Sequence, residues 1–158
     1  MHYKGLCLIV PLVLVSACSR APTPREFLIK AIQGDNSEMR LGMLAATKGG
    51  PAVAQYGQTL EADHAAARAA AVQVAARYGI TPPGDIVKEA SSEYAKLDKL
   101  SGNDFDKEFA SYMIEDHKHD IEDFTKASEG DAPADVKALA RAALPTLQKH
   151  LALANSLK

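Results

Sequence analysis

The chain has 158 residues, 47% hydrophobic and 6% aromatic, with no tryptophan. That suits one compact domain and leaves too little chain for two. A formal net charge of −2 gives no basic field with which to release counterions from a phosphate backbone, which argues against a nucleic-acid partner. Cys7 and Cys18 are the two cysteines, both near the N-terminus, so neither a disulfide framework nor a cysteine metal cage can hold the folded part together.

Residues 1–18 have the layout of an export signal. Lys4 supplies a positive charge, Gly5 to Val15 is almost wholly apolar, and Ser16-Ala17-Cys18 closes the run with small residues. The apolar stretch is too short to cross a hydrocarbon core of about 30 Å as a helix. Val15-Ser16-Ala17-Cys18 resembles the bacterial lipoprotein box, which implies lipid attachment at Cys18 and a membrane surface as partner, with export to the periplasm or outer membrane. Several acyl chains at about 0.8 kcal/mol per buried CH₂ would make such a tether durable. Ordinary secretion, with Cys18 incidental, is the alternative. Cleavage before Cys18 removes Lys4 and no acid, so the mature chain stays mildly acidic. Residues 19–25, with Pro22 and Pro24, read as a short stiff tether, and 26–158 as the folded domain.

Breakers divide that domain at Gly49-Gly50-Pro51, from Gly79 through Pro82-Pro83-Gly84, at Gly102-Asn103-Asp104 and at Gly130-Asp131-Ala132-Pro133. The intervening lengths predict helices over 25–48, 51–78, 85–100, 104–129 and 133–157, four long and one short. Alanine at 28 positions favours helix over sheet, and no strand-like alternation of useful length occurs. Pro51 and Pro133 suit first-turn positions, Asp104 suits a cap, and Gly79 and Gly130 suit the left-handed conformation that ends a helix. The fold class is therefore all-α.

The apolar periodicity carries the functional signal. In the second helix, Val53, Leu60, Ala67 and Val74 alternate with Gly57, His64, Ala71 and Tyr78 at 3,4 spacing, the pattern of a bundle seam. The first helix runs Phe27, Ala31, Gly34, Glu38, Leu41, Ala45. The fourth runs Ala110, Ile114, His117, Ile121, Phe124, and the last runs Val136, Ala140, Ala143, Leu147, His150, Ala154, Leu157. Each long helix thus places one ionisable residue in its core stripe. At 1.5 Å per residue, Glu38 and His64 fall within roughly 5 Å of one level, and His117 and His150 within roughly 8 Å. Helix tilt or a kink at Pro145 would shrink the second mismatch. Buried without partners, the four would cost several kcal/mol, so they must hydrogen-bond one another, bind water or bind a cation.

At this point the residues resemble a family of bacterial exported proteins, the domain of unknown function family numbered 4142, placed in the ferritin-like superfamily. The likeness covers about residues 26–157. It rests on Glu38 with Gly42-Met43-Leu44-Ala45, Asp63-His64 before an alanine-rich stretch, Gly102-Asn103-Asp104-Phe105-Asp106, Asp116-His117, and Leu144-Pro145-Thr146-Leu147-Gln148-Lys149-His150-Leu151. The resemblance implies a ferritin-like four-helix bundle with an additional short helix between the second and third long helices, and assigns no activity. Di-iron members of the superfamily use Glu-x-x-His on two helices. Here Glu61 stands three before His64, but Ile114 and Leu147 occupy the matching positions before His117 and His150, which disfavours a di-iron oxidase.

Three imidazoles and one carboxylate, His64, His117, His150 and Glu38, suit a single Zn, Cu(II) or Fe(II) ion. Glu61, Asp63 and Asp116 are candidates to orient those ligands from outside. Neighbours on a helix point about 100° apart, so each aspartate would serve a histidine of another helix. The competing reading is a structural or interaction (stress-related) protein of the envelope, whose polar layer only fixes register. Met39, Met43 and Met113 could offer thioethers to Cu(I) but read more simply as packing. His119, beside Lys118 and Asp120, reads as solvated. Ser37, Ser91 and Ser92 lack the sharp strand-to-helix turn that presents a nucleophile. The sequence therefore favours metal binding or buffering in the envelope over catalysis, and does not identify a protein partner.

Overall fold

The computed structural model describes residues 22–158. The export signal and Cys18 lie outside the described residues. Five helices follow in order: α1 Pro24–Lys48, α2 Pro51–Arg77, α3 Lys88–Leu97, α4 Gly102–Glu129 and α5 Ala134–Ser156. The architecture is all-α, with no strand among the described residues. None of these helices is long and apolar enough to cross a membrane.

The helix boundaries have local causes. Helix α1 begins at Pro24, inside the stretch read above as tether, because Thr23 and Glu26 form a reciprocal capping box: Thr23 Oγ1 accepts from the Glu26 backbone N–H, and the Glu26 carboxylate accepts from that of Thr23. Pro51 opens α2 as expected, and Gly79 takes φ +61° just beyond its end. The expected left-handed Gly130 is instead extended, at φ −69° and ψ −163°, and its N–H still closes on the Lys126 carbonyl. Helix α4 starts at Gly102 with Ser101 as its N-cap, two residues before the expected Asp104. Helix α3 is shorter than expected because residues 82–87 serve as a strap across α1. Asn36 donates to the carbonyls of Pro83 and Asp85 at 3.1 and 2.9 Å, and Val87 N–H donates to Ser37 Oγ at 3.1 Å.

Helix α1 packs along α2 and α4 along α5, while α2 and α5 join the two pairs and α3 lies against α1 and α4. The α1–α2 approach depends on absent side chains. A Cβ at Gly42 would meet the Gly57 carbonyl oxygen at 2.6 Å, and one at Gly57 would meet that of Gly42 at 2.5 Å. Both would clash with backbone, so the glycines set how closely these helices cross.

The core has two apolar halves. One contains Leu41, Leu44, Val53, Tyr56, Leu60, Phe105, Phe109 and Met113, with Ala90 and Leu97 of α3. The other contains Phe27, Leu28, Ile32, Ala71, Ala75, Ile80, Val136 and Ala140. Each fully buried Leu or Phe contributes on the order of 1.5–3 kcal/mol, so both halves hold the helices firmly. Along each long helix the two sets are separated by a short polar step: Asp35 and Glu38 on α1, His64 on α2, His117 on α4 and His150 on α5.

Candidate metal centre

The polar step is deeply buried. Glu38 is 1% exposed, His64 4%, and His117 and His150 0%. The three imidazole rings form a triangle, with centroids 5.2 Å apart for His64–His150, 5.3 Å for His117–His150 and 6.0 Å for His64–His117. The α4–α5 level mismatch inferred from sequence is thus closed at the ring positions. One nitrogen from each ring lies within 4.8 Å of one from each of the others.

Each ring is fixed by a bond through one nitrogen and leaves the other bare. His117 Nδ1 donates to the Met113 carbonyl at 2.9 Å, one turn earlier on α4. A carbonyl can only accept, so His117 Nε2 carries a lone pair. His150 Nε2 lies 2.9 Å from Asp63 Oδ2, and Lys149 Nζ donates to the same oxygen at 3.0 Å. The His150 bond, followed by Lys149, holds the Asp63 carboxyl below the usual carboxylate range. Asp63 is therefore an acceptor, and the lone pair of His150 is on Nδ1. His64 Nδ1 meets Asp35 Oδ1 at 2.9 Å. Burial pushes the Asp35 carboxyl up to about 8, against the lowering field of Arg68. Once Asp35 is ionised, Nδ1–H donates to it and His64 Nε2 is bare.

The three unpartnered buried nitrogens are these same atoms, His64 Nε2, His117 Nε2 and His150 Nδ1. They do not escape by taking up protons. Burial lowers His64 to about 4 and, joined by the neighbouring His64 ring, lowers His117 to about 4; burial also lowers His150. A single water has two hydrogens and can satisfy at most two such lone pairs, whereas a cation can take all three. Carboxylate or carbonyl contacts on the far nitrogen of each ring are the pattern that orients metal-binding imidazoles.

Glu38 belongs to the same layer but not to the triangle. Its carboxyl groups with Asp116 and His117, with one atom of each within 4.8 Å of the others, and Glu38 Oε1 is 3.9 Å from His117 Nδ1. Neither Glu38 oxygen has a hydrogen-bonding partner in good geometry. Burial, then the adjacent Asp116 carboxylate, holds Glu38 well above the usual range.

The remaining candidates divide clearly. Asp63 serves a histidine of another helix, as the 100° offset predicts, whereas Asp116 lies beside Glu38 instead. Glu61 is half-buried and bonds to none of the three histidines, so its i, i+3 spacing to His64 does not bring it to the layer. His119 is exposed. Met39 is half-buried, Met43 is 46% exposed and Met113 is fully buried in the apolar core, so Met43 and Met113 share no environment. Ser37 is buried and engaged with Gln33 and Val87. Asp35 was missed: it lies one turn before Glu38 on α1 and one residue off the stripe, where an aspartate reads as solvated. The Met113 carbonyl is a backbone group and leaves no mark on the sequence.

The family model described as Domain of unknown function (DUF4142) matches residues 15–157. No curated protein and no solved structure gives a significant match to the chain.

Proposed function

The chain belongs to the DUF4142 family, and we propose that it is a cell-envelope metal-binding protein in which His64, His117 and His150 hold one transition-metal ion, Zn, Cu or Fe. The observation that carries this reading is the meeting of three buried imidazoles, one nitrogen of each within 4.8 Å of the others, in rings that each keep one unpartnered nitrogen. Three nitrogen donors leave a fourth position open, and imidazole accepts all three metals. Asp63 and the Met113 carbonyl orient two of the rings by accepting from the nitrogen opposite the lone pair, and Asp35 does the same for His64 once ionised.

Energetics favour an occupied layer. Five buried polar atoms of the layer, two on Glu38 and one on each histidine, lack partners. At about 1–3 kcal/mol each, their desolvation is of the same order as the whole net stability of a domain, about 5–15 kcal/mol. A bound cation offsets that cost and couples metal affinity to folding.

In this account the domain is a ferritin-like four-helix bundle with α3 as the additional short helix, exported and lipid-attached at Cys18. The bundle reading is supported by the two packed helix pairs and the shared layer, and the lipid reading by the Val15-Ser16-Ala17-Cys18 box. The role is binding or buffering rather than turnover. Calorimetric titration of Zn²⁺, Cu²⁺ and Fe²⁺ into the metal-stripped protein tests it, beside the His64→Leu/His117→Leu variant, with helicity followed by circular dichroism. One equivalent bound by the parent and none by a helical variant is expected. If the parent takes up none of the three ions, the layer only sets packing and the protein is a structural or interaction component of the envelope.

A further inference from the structure

A second feature of the core lies outside the imidazole triangle. Glu38 on α1 and Asp116 on α4 bring carboxyl oxygens within 4.8 Å of each other, and both Glu38 oxygens lack hydrogen-bond partners although the residue is 1% exposed. The neighbouring imidazole cannot serve them as a ligand from its near edge, since His117 Nδ1 already donates to the Met113 carbonyl. Among the described residues no ammonium or guanidinium closes on the pair either: Lys30 pairs with Asp123, and Arg68 donates to Asn36 Oδ1 at 2.6 Å.

Further aspartates share the pair's face of α4, and the outermost, Asp123, is partly exposed. Asp116, Asp120 and Asp123 stand at i, i+4 and i+7 and share one face of α4. Lys30 feels all three carboxylates, Asp123 most strongly, which places them in one field between α1 and the outer end of this face. Two carboxylates facing each other in a buried site repel unless a proton or a metal ion lies between them; Glu38 keeps a proton in the metal-free protein, and a divalent ion would take that proton's place.

We propose that the Glu38–Asp116 pair is a second cation site, built from oxygen donors alone and taking a hard divalent ion of the Mn²⁺ class. Hard ions prefer carboxylate oxygen, whereas the three imidazoles suit softer ions, so the two sites differ in chemistry. The Asp123–Asp120–Asp116 face leads the ion inward. The site depends on its own two carboxylates and stands apart from the reading of the triangle.

Mn²⁺ binding followed by electron paramagnetic resonance tests it in four proteins: the zinc-loaded parent, Asp116→Asn, Glu38→Gln, and His64→Ala/His150→Ala, which leaves His117 and the carboxylates in place. The parent and the histidine variant are expected to bind one Mn²⁺, and the two carboxylate variants to lose it while remaining helical. Absence of Mn²⁺ binding by the parent at millimolar concentration overturns the proposal, as does Mn²⁺ binding that survives both carboxylate substitutions. Failure of the imidazole reading would show separately, as absence of zinc from the parent.

Discussion

Asp63 Oδ2 lies 2.9 Å from His150 Nε2, so the adjacent residues Asp63 and His64 of α2 serve one layer in two ways. His64 points a nitrogen into it, and Asp63 fixes the ring that α5 contributes. Because Asp63 is half-buried and also meets Lys149, its removal exposes no large core surface. Asp63→Ala is expected to weaken metal affinity by about 10–100-fold, the usual effect of deleting a partner that orients a ligand. Helicity should be unchanged. Competition against a chelator measures this, and an unaltered affinity would remove Asp63 from the account.

Asp35 and His64 make metal uptake depend on pH. Burial raises Asp35 to about 8, so at neutral pH its carboxyl holds a proton, and a cation on the His64 ring favours loss of that proton because the charged ring donates more strongly to a carboxylate. The histidines themselves, at about 4 for His64 and His117, compete only in acid. One proton released per ion gives an affinity that rises about tenfold per pH unit toward pH 8. Asp35→Asn supplies a neutral acceptor, and affinity in that variant should be nearly flat above pH 5. A parental slope retained by the variant would place the released proton elsewhere.

Much of this was legible in the sequence, and the exceptions have physical reasons. Breakers such as Pro51 and Gly79 fixed helix order, and the 3,4 periodicity placed Glu38, His64, His117 and His150 at one depth, because helix rise converts residue number into height. Rotation about the axis is less well fixed by a stripe several residues wide. That is why Glu38 faces Asp116 rather than completing the imidazole set. Asp35 escaped notice because its burial comes from the 82–87 strap folding over α1, a long-range event carried by Asn36 and Ser37. Thr23 and Glu26 did carry a capping signal, overshadowed by the flanking prolines.

The glycines of α1 should respond in opposite senses to alanine. At Gly42 the added Cβ meets the Gly57 carbonyl oxygen at 2.6 Å, a backbone atom that cannot rotate away. Gly42→Ala should cost about 1–3 kcal/mol by overpacking. At Gly34 nothing lies within 4 Å of the added atom, and Gly34→Ala should stabilise by about 0.5–1 kcal/mol through backbone entropy. Urea unfolding of both variants checks the pair, and equal effects would refute the close α1–α2 crossing.

Stability of the metal-free protein should fall in mild alkali. Carboxyls with raised folded pKa values contribute stability that is complete below their ordinary values near 4 and lost as pH rises through about 8; Asp35 and Asp120 are of this kind, and Glu38 shares the direction. The lowered histidines act oppositely, their contribution disappearing as pH falls from 6.5 to about 4. The two sets oppose each other in mild acid, and only the carboxyls act above 6.5. Melting temperature should therefore decline between pH 6.5 and 8.5 without metal and hold steady with it. A metal-free protein that gains stability across that window would contradict the assigned protonation.

The most direct test is the metal content of residues 19–158 folded in the periplasm and purified without chelator or metal resin, measured by elemental mass spectrometry beside the His64→Ala/His117→Ala variant. Near-stoichiometric Zn, Cu or Fe is expected in the parent and none in the variant. No such metal in the parent, even after challenge with all three ions, would contradict it.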